Sequence, residues 1–133
     1  EKINLQNQIK QLGLNDKVFL IGYKENVFKY LRSCYCFILS SLWEDPGFVL
    51  IEAASSNASI ISSDCPNGPK EFLDNGNNGF LFMNNSTTSF EDTFYKFINS
   101  DEKSIKNKKF LAKKKVKDFT KLNHYKILSQ LIT

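Results

Sequence analysis

The segment CFILSSLWEDPGFVLIEAASSNASIISS, residues 36–63, contains two short apolar runs separated by a helical pattern. The runs at residues 36–39 and 60–61 predict strands that are buried on both faces, because continuous apolar runs are typical of parallel sheets covered by helices. Residues 47–56 predict the intervening helix, since their apolar side chains recur at helical spacing. A strand, a helix and a second strand in this order predict a parallel pair joined by a right-handed crossover.

The sequence on either side continues this alternation. Further strands are predicted at residues 18–21 and 80–82, and further helices at residues 2–12, 25–33, 69–73, 90–98, 104–118 and 124–131. We therefore expect an α/β fold, a Rossmann-like parallel sheet flanked by helices. Residues 1–86 form its core, and residues 87–133 add closing helices to the same domain. Ligands of such sheets bind at the carboxyl ends of the strands, so we expect the site in the loops at residues 22–25, 40–47, 62–69 and 83–86.

The composition is that of one folded domain. The chain has 133 residues, and its 41% hydrophobic content is too high for a disordered chain. No apolar run reaches the roughly 18 residues of a membrane-spanning helix. The first ten residues are polar, and the only methionine is Met83. We expect a fragment of a longer protein, whose start is neither a signal peptide nor a transit peptide.

The three cysteines, Cys34, Cys36 and Cys65, cannot form a disulfide framework. An odd number without a secretory signal is typical of the reducing cytoplasm, where we expect the protein to reside. No histidine or second cysteine pair stands at ligand spacing, so we interpret these side chains as small buried hydrophobes and expect no bound metal.

The charges are distributed unevenly along the chain. Residues 96–133 contain 11 lysines and 3 acidic side chains, whereas residues 1–95 contain 7 basic and 11 acidic side chains. The lysines predict either the solvated face of closing helices or a surface that binds an anionic membrane. Because the segment contains no arginine and few interleaved aromatic residues, we expect no nucleic-acid partner.

Two carboxylates flank the predicted start of the helix in the central segment. Glu44 precedes Gly47 in the loop, and Glu52 lies on the helix. A helix N-terminus offers unpaired N–H groups to a diphosphate, and glycine allows close backbone approach. Glu52 is then a candidate to bind the two hydroxyls of a ribose, and Glu44 those of a second sugar. The alternative is that the carboxylates only offset the helix dipole or lie in solvent.

Residues 44–53, EDPGFVLIEA, resemble the EX7E signature of retaining glycosyltransferases of family 4. Three other segments resemble further parts of that family in the same order: VFLIGY at residues 18–23, SSDCPNGPKEFL at 62–73 and GNNGFLF at 76–82. The combination is specific, whereas each segment alone is weak.

The resemblance implies an enzyme of the GT-B fold, with two Rossmann-like halves, of which this chain is most of the C-terminal, donor-binding half, truncated at its N-terminus. It implies that Glu44 is the catalytic-site carboxylate that positions the transferred sugar and that Glu52 binds the ribose. It places the backbone amides of Gly47, Phe48 and Val49 near the diphosphate or the sugar. It places the loop of Gly22, Tyr23 and Lys24 near the base.

The resemblance also implies an activity: transfer of a hexose, with retention of configuration, from a nucleotide diphosphate sugar to an acceptor hydroxyl. The acceptor would be a saccharide or a lipid-linked saccharide of cell-envelope or polysaccharide biosynthesis, bound through the N-terminal domain. We expect no cofactor, and a protein in the cytoplasm or at the inner face of the membrane. The family's upstream Arg and Lys segment is absent from this chain, so we expect the chain alone to be inactive.

Two other hypotheses remain. One is a nucleotide-sugar epimerase of the GT-B fold, and the other is a non-catalytic module that binds an anionic surface through its lysines. Four polar or aromatic side chains have a weaker claim to a role, with packing, capping or solvation as the commoner explanation: Trp43, Asp64, Glu71 and His124.

Overall fold

The computed structural model describes residues 1–45 and 47–132. Its helices are α1 Lys2–Gln11, α2 Phe28–Ser33, α3 Phe48–Ser55, α4 Pro69–Phe72, α5 Thr87–Ile98, α6 Glu102–Lys115 and α7 Lys121–Ile132. Its strands are β1 Phe37–Leu39, β2 Ile60–Ser63 and β3 Phe80–Phe82. Short 3-10 turns lie at Asp74–Gly76 and Val116–Phe119.

The three strands form one parallel sheet in the order β1-β2-β3. Phe37 pairs with Ile60 between the first two strands, and Ser63 pairs with Phe82 between the last two. All four residues of β2 are buried, which agrees with a central strand covered by helices on both faces. The predicted α/β architecture, a parallel sheet flanked by helices, is confirmed.

Two apolar clusters lie on opposite faces of the sheet. On one face, Leu50 and the neighbouring alanines of α3 pack with Ile60 and Leu73. On the other face, Phe97 of α5 packs with Ile61, Phe80 and Phe82, and its ring meets that of Phe80 edge to face at 5.4 Å. Burial of each large apolar side chain contributes about 1.5–3 kcal/mol, so these clusters hold the helices against the sheet.

The strand predicted at residues 18–21 is wrong. The segment has no regular structure, and Phe19 and Ile21 are exposed. An apolar run expresses a local preference for extended backbone, but a strand also needs a neighbour that accepts and donates its ladder hydrogen bonds. No described residue pairs with this segment, because β1 is bonded only to β2.

The cysteines are partly as predicted. Cys65 is buried, whereas Cys34 and Cys36 are only partly buried. Burial, together with the neighbouring Cys34, raises the pKa of the Cys36 thiol, which favours the protonated form. Among the described residues, no helix is both long and apolar enough to cross a membrane.

Leu50→Ala is expected to lower the free energy of unfolding by about 2–5 kcal/mol, because it leaves a cavity in the core. In the parent protein the Leu50 side chain is 1% exposed. Phe48→Ala on the same helix is the matched control, since Phe48 is 63% exposed, and its cost should be within about 0.5 kcal/mol. Urea unfolding followed by circular dichroism measures both. Equal losses in the two variants would contradict the described core.

Candidate functional site

The loops that follow the three strands meet at one edge of the sheet, because parallel strands all end on the same side. The Ser63 hydroxyl donates to the Ser41 carbonyl at 2.6 Å, and the Asp64 N–H donates to the Phe82 carbonyl at 2.8 Å. The Asn84 side chain donates to the Leu42 carbonyl at 3.0 Å. These bonds hold the loops at residues 40–47, 64–68 and 83–86 together, as the predicted topology requires.

Gly47 gives the start of α3 an unusual backbone. It has φ +77°, in the left-handed region that glycine adopts without strain. The helices α5 and α6 begin with side-chain caps, Ser86 accepting from the Ser89 N–H and Asp101 from the Ser104 N–H. Among the described residues, no side chain caps α3, and the same holds for α1, α2 and α4. The positive end of its dipole therefore lies uncapped by side chains at the carboxyl edge.

Glu44 lies beside this helix start. A Cβ on Gly47 would stand 3.7 Å from the Glu44 carboxylate oxygen Oε2, so the carboxylate lies next to the glycine. The Glu44 N–H donates to the Pro66 carbonyl at 3.3 Å, which ties this loop to the one after β2. Glu44 is partly buried and takes part in none of the ion pairs of the described residues.

Glu52 lies on α3 and is also partly buried, again outside the ion pairs of residues 1–45 and 47–132. Of the predicted amide-bearing residues, Gly47 is buried, Val49 is partly buried and Phe48 is exposed. The central site residues thus share one helix and the loop before it. Pro46, in the middle of the EX7E segment, lies outside the described residues.

The loop predicted to lie near the base is not brought into this cluster by any hydrogen bond in the described part of the chain. Gly22 has φ +61°, and Tyr23 is 88% exposed. Lys24 is exposed as well. Their proposed contact with a base stays a prediction.

Two cavities open near the loop at residues 40–47. One, of about 290 Å³, lies between the starts of α3 and α4, with Gly47, Asn67 and Glu71 in its wall. The other, of about 420 Å³, has Leu42, Phe82 and Ser86 in its wall. Both are at the lower end of the size range of small-ligand sites. Glu71 therefore lines a cavity, whereas Trp43 is 58% exposed and lines neither of these two.

Lys70 is a residue that the sequence reasoning missed. Its ammonium lies 3.3 Å from the Asp64 carboxylate, and both side chains are partly open to solvent. The pair places a cation at the carboxyl edge, near the start of α4. The signal was present as a lysine directly after Pro69, at the first turn of a helix, but it gains meaning only once Asp64 is seen beside it.

The sequence model of the family described as glycosyl transferases group 1 matches residues 1–115. The chain belongs to this family. Its fold agrees with that membership, since the matched region contains the three described strands and the helices packed on them.

Two curated relatives illustrate the relationship. An uncharacterized glycosyltransferase of Methanocaldococcus jannaschii is 46% identical over 72 residues, which cover 54% of this chain and 18% of that protein. The N-acetylgalactosamine-N,N'-diacetylbacillosaminyl-diphospho-undecaprenol 4-alpha-N-acetylgalactosaminyltransferase of Campylobacter jejuni is 31% identical over 115 residues, 86% of this chain and 31% of that protein. This chain therefore spans less than a third of either relative.

Solved structures share the fold. The crystal structure of TarM superposes with a TM-score of 0.81 at 23% identity, covering 96% of this chain and 26% of that one. The Anabaena protein HepE, crystallised in complex with UDP, superposes with a TM-score of 0.78 at 21% identity, covering 98% and 36%. At these identities the likeness concerns the fold, which is that of GT-B glycosyltransferases.

Ser63→Ala is expected to lower the free energy of unfolding by about 1–3 kcal/mol. Ser63 is only 1% exposed, and the substitution removes the hydroxyl that donates to the Ser41 carbonyl. Ser33→Ala is the control, since its hydroxyl donates to the Lys29 carbonyl on an exposed helix surface. Chemical denaturation of both variants measures the difference. No loss in Ser63→Ala would mean that this bond does not hold the two loops together.

Proposed function

We propose that this chain is the donor-binding part of a retaining glycosyltransferase that takes a hexose from a nucleotide diphosphate sugar. The observation that supports this most is the start of α3, where no side chain of the described residues caps the helix, Gly47 adopts a left-handed backbone and Glu44 lies alongside. A helix N-terminus of this kind suits an anionic diphosphate, and the adjacent carboxylate suits sugar hydroxyls.

An uncapped helix N-terminus would stabilise the charge that develops on the diphosphate. As the bond between the sugar and the diphosphate breaks, negative charge gathers on the leaving group. The partial positive charge of the helix end stabilises that charge without reorganising. Lys70, 3.3 Å from Asp64, is a cation at this edge, and we propose that it reaches the diphosphate when donor displaces it from the carboxylate.

The two carboxylates would have separate roles. We propose that Glu52 accepts hydrogen bonds from the 2′- and 3′-hydroxyls of the ribose, because one carboxylate has two oxygens for two vicinal hydroxyls. Glu44, next to Gly47, would orient the transferred sugar at the reacting bond. Neither residue is occupied by an ion pair within residues 1–45 and 47–132, so each carboxylate is available to a ligand.

The relatives support the class of substrate. HepE was crystallised in complex with UDP, and the Campylobacter jejuni relative is named for transfer onto a diphospho-undecaprenol acceptor. By extension we propose a nucleotide-sugar donor and a saccharide or lipid-linked acceptor of cell-envelope polysaccharide biosynthesis, without a metal or cofactor. The transfer would occur in the cytoplasm or at the inner face of the membrane.

The chain spans 18–31% of the first two relatives, so catalysis is proposed for a longer protein that contains it. The acceptor would bind to the part of that protein outside this chain. By itself, the 133-residue chain is proposed to bind the donor and not to transfer the sugar.

Donor binding is tested by calorimetry of the 133-residue chain with UDP-, GDP- and ADP-sugars. One of them should bind, and Glu52→Gln should weaken that binding about tenfold or more, because hydrogen bonds to a charged group contribute about 1.5–3 kcal/mol. Glu91→Gln, an exposed change on α5, is the matched control and should bind normally. No heat with any donor at millimolar concentration would reject donor binding by this chain.

Catalysis is tested in the longer protein with Glu44→Gln. We expect kcat to fall about a hundredfold or more with a smaller change in KM, as for a group that acts mainly in the transition state. Normal kcat/KM for the donor in both Glu44→Gln and Glu52→Gln would refute the assignment.

A membrane surface is a second candidate partner, supported by α7. Four apolar side chains recur at helical spacing and are 43–83% exposed: Leu122, Tyr125, Leu128 and Ile132. Lys121 and Lys126 lie on the same helix, and such a combination suits the interface of an anionic bilayer. Leu128→Asp should then abolish sedimentation with phosphatidylglycerol vesicles and leave donor binding intact. Unchanged sedimentation would exclude α7 as the contact.

A further inference from the structure

A polar cavity lies at the other end of the sheet from the candidate donor site. Its volume is about 330 Å³, and its wall includes Asn75, Asn77, Thr93, Lys96 and Lys108. Phe80, which also lines it, is the first residue of β3. The cavity therefore belongs to the amino-terminal end of the strand, whereas the loops that carry Glu44 and Asp64 follow the carboxyl ends.

Two lysines from different helices line this cavity. Lys96 lies on α5 and Lys108 on α6, and both line the same space. Neither takes part in the three ion pairs found within residues 1–45 and 47–132, and no carboxylate is among the residues that line the cavity. Two acids, Asp74 and Asp92, adjoin wall residues in sequence, and Asp74 accepts a hydrogen bond from the Asn77 amide at 3.0 Å.

Lys108 is held in place by two contacts. Its ammonium donates to the Gly76 carbonyl at 2.5 Å and lies 5.0 Å from the centroid of the Phe80 ring. An ammonium has three N–H groups, so two remain for a ligand. Burial and the nearby charge of Lys96 lower the pKa of Lys108. An anion between the two lysines would relieve this repulsion.

The rest of the wall is suited to an anion that accepts hydrogen bonds. The Asn75 and Asn77 side chains offer amide N–H groups, and the turn that carries them is fixed by N–H bonds from Gly76 and Asn78 to the Leu73 carbonyl, both at 2.9 Å. The Thr93 hydroxyl donates to the Leu81 carbonyl at 3.3 Å, which holds the α5 wall against β3. The donors therefore come from three elements that the fold positions independently.

We propose that this cavity is a binding site for a phosphate group, held between Lys96 and Lys108 and the asparagine turn at residues 75–77. A small soluble phosphate and the headgroup of a phospholipid both fit this description, because they present the same oxygens to the two ammonium groups. The site is separate from the proposed donor site and does not depend on it.

The primary test is an NMR titration of the 133-residue chain with inorganic phosphate at constant ionic strength, with chloride as the compensating anion. Saturable shifts are expected at the backbone amides of residues 75–79 and 108, with a Kd of about 1–10 mM for so small a ligand. Lys96→Gln should weaken binding about fivefold to tenfold, the loss of one charge-assisted contact. Lys96→Arg should restore it.

The matched control is Lys113→Gln. Lys113 is exposed on α6 and lines none of the cavities described above, so its loss removes the same charge and should leave the titration unchanged. Lys108→Gln is expected to weaken binding most, but it also removes the bond to Gly76. Because Lys96 has no such structural bond among the described contacts, Lys96→Gln decides the proposal even if Lys108→Gln fails to fold.

A second arm identifies the source of the phosphate. The chain is sedimented with phosphatidylcholine vesicles with or without phosphatidic acid. Sedimentation that requires phosphatidic acid, falls in Lys96→Gln and is competed by inorganic phosphate would identify a lipid headgroup. Saturable phosphate shifts without such sedimentation would identify a soluble ligand. Shifts that are absent, that do not saturate, or that are equal in Lys96→Gln and Lys113→Gln would overturn the proposal.

Discussion

The burial of strand β2 is the constraint on which the rest of the structure depends. All four of its residues are buried, so its backbone groups must be paired within the protein, and β1 and β3 supply the partners on either side. The Ser62 and Ser63 hydroxyls are also satisfied internally, by the Ser63 and Ser41 carbonyls. Because all three strands run in one direction, this pairing brings their following loops together and creates the edge at which Glu44 and Gly47 lie.

The helix at the candidate donor site begins without a side-chain cap, as α1, α2 and α4 also do within the described residues. The helices α5 and α6 use a side-chain oxygen of Ser86 or Asp101 to satisfy an early N–H group. At α3 no side chain of the described residues does so, and Gly47, with its left-handed backbone, occupies that position. A glycine at this position makes the helix less stable by only about a few tenths of a kcal/mol than a capping side chain would, and a bound anion would offset that loss. The same feature thus weakens the free protein locally and suits it to a ligand.

The chemical character of the molecule differs between the two ends of the sheet. The carboxyl end carries Glu44 and Asp64, with Lys70 paired to Asp64. The amino end carries the cavity lined by Lys96 and Lys108. The excess of lysine after residue 95 is therefore not only a solvated helix surface, because part of it faces a cavity. The proposed donor site accounts for the charged residues at the first end, whereas membership in the glycosyl transferases group 1 family assigns no role to the second.

The sequence by itself determined the α/β class, the three strands of the sheet and helix α3, because each is marked by a local apolar run or period and by nearby glycine or proline. The sequence also predicted the resemblance to the family, since the EX7E segment and its neighbours are contiguous motifs. Only the tertiary structure decided that residues 18–21 form no strand, because pairing depends on a partner elsewhere in the chain. Only the tertiary structure showed that Lys70 lies beside Asp64 and that Lys96 and Lys108 line the same cavity. These residues lie on different elements, whose relative positions are set by packing against β2 and β3. No periodic pattern in the sequence indicates such positions.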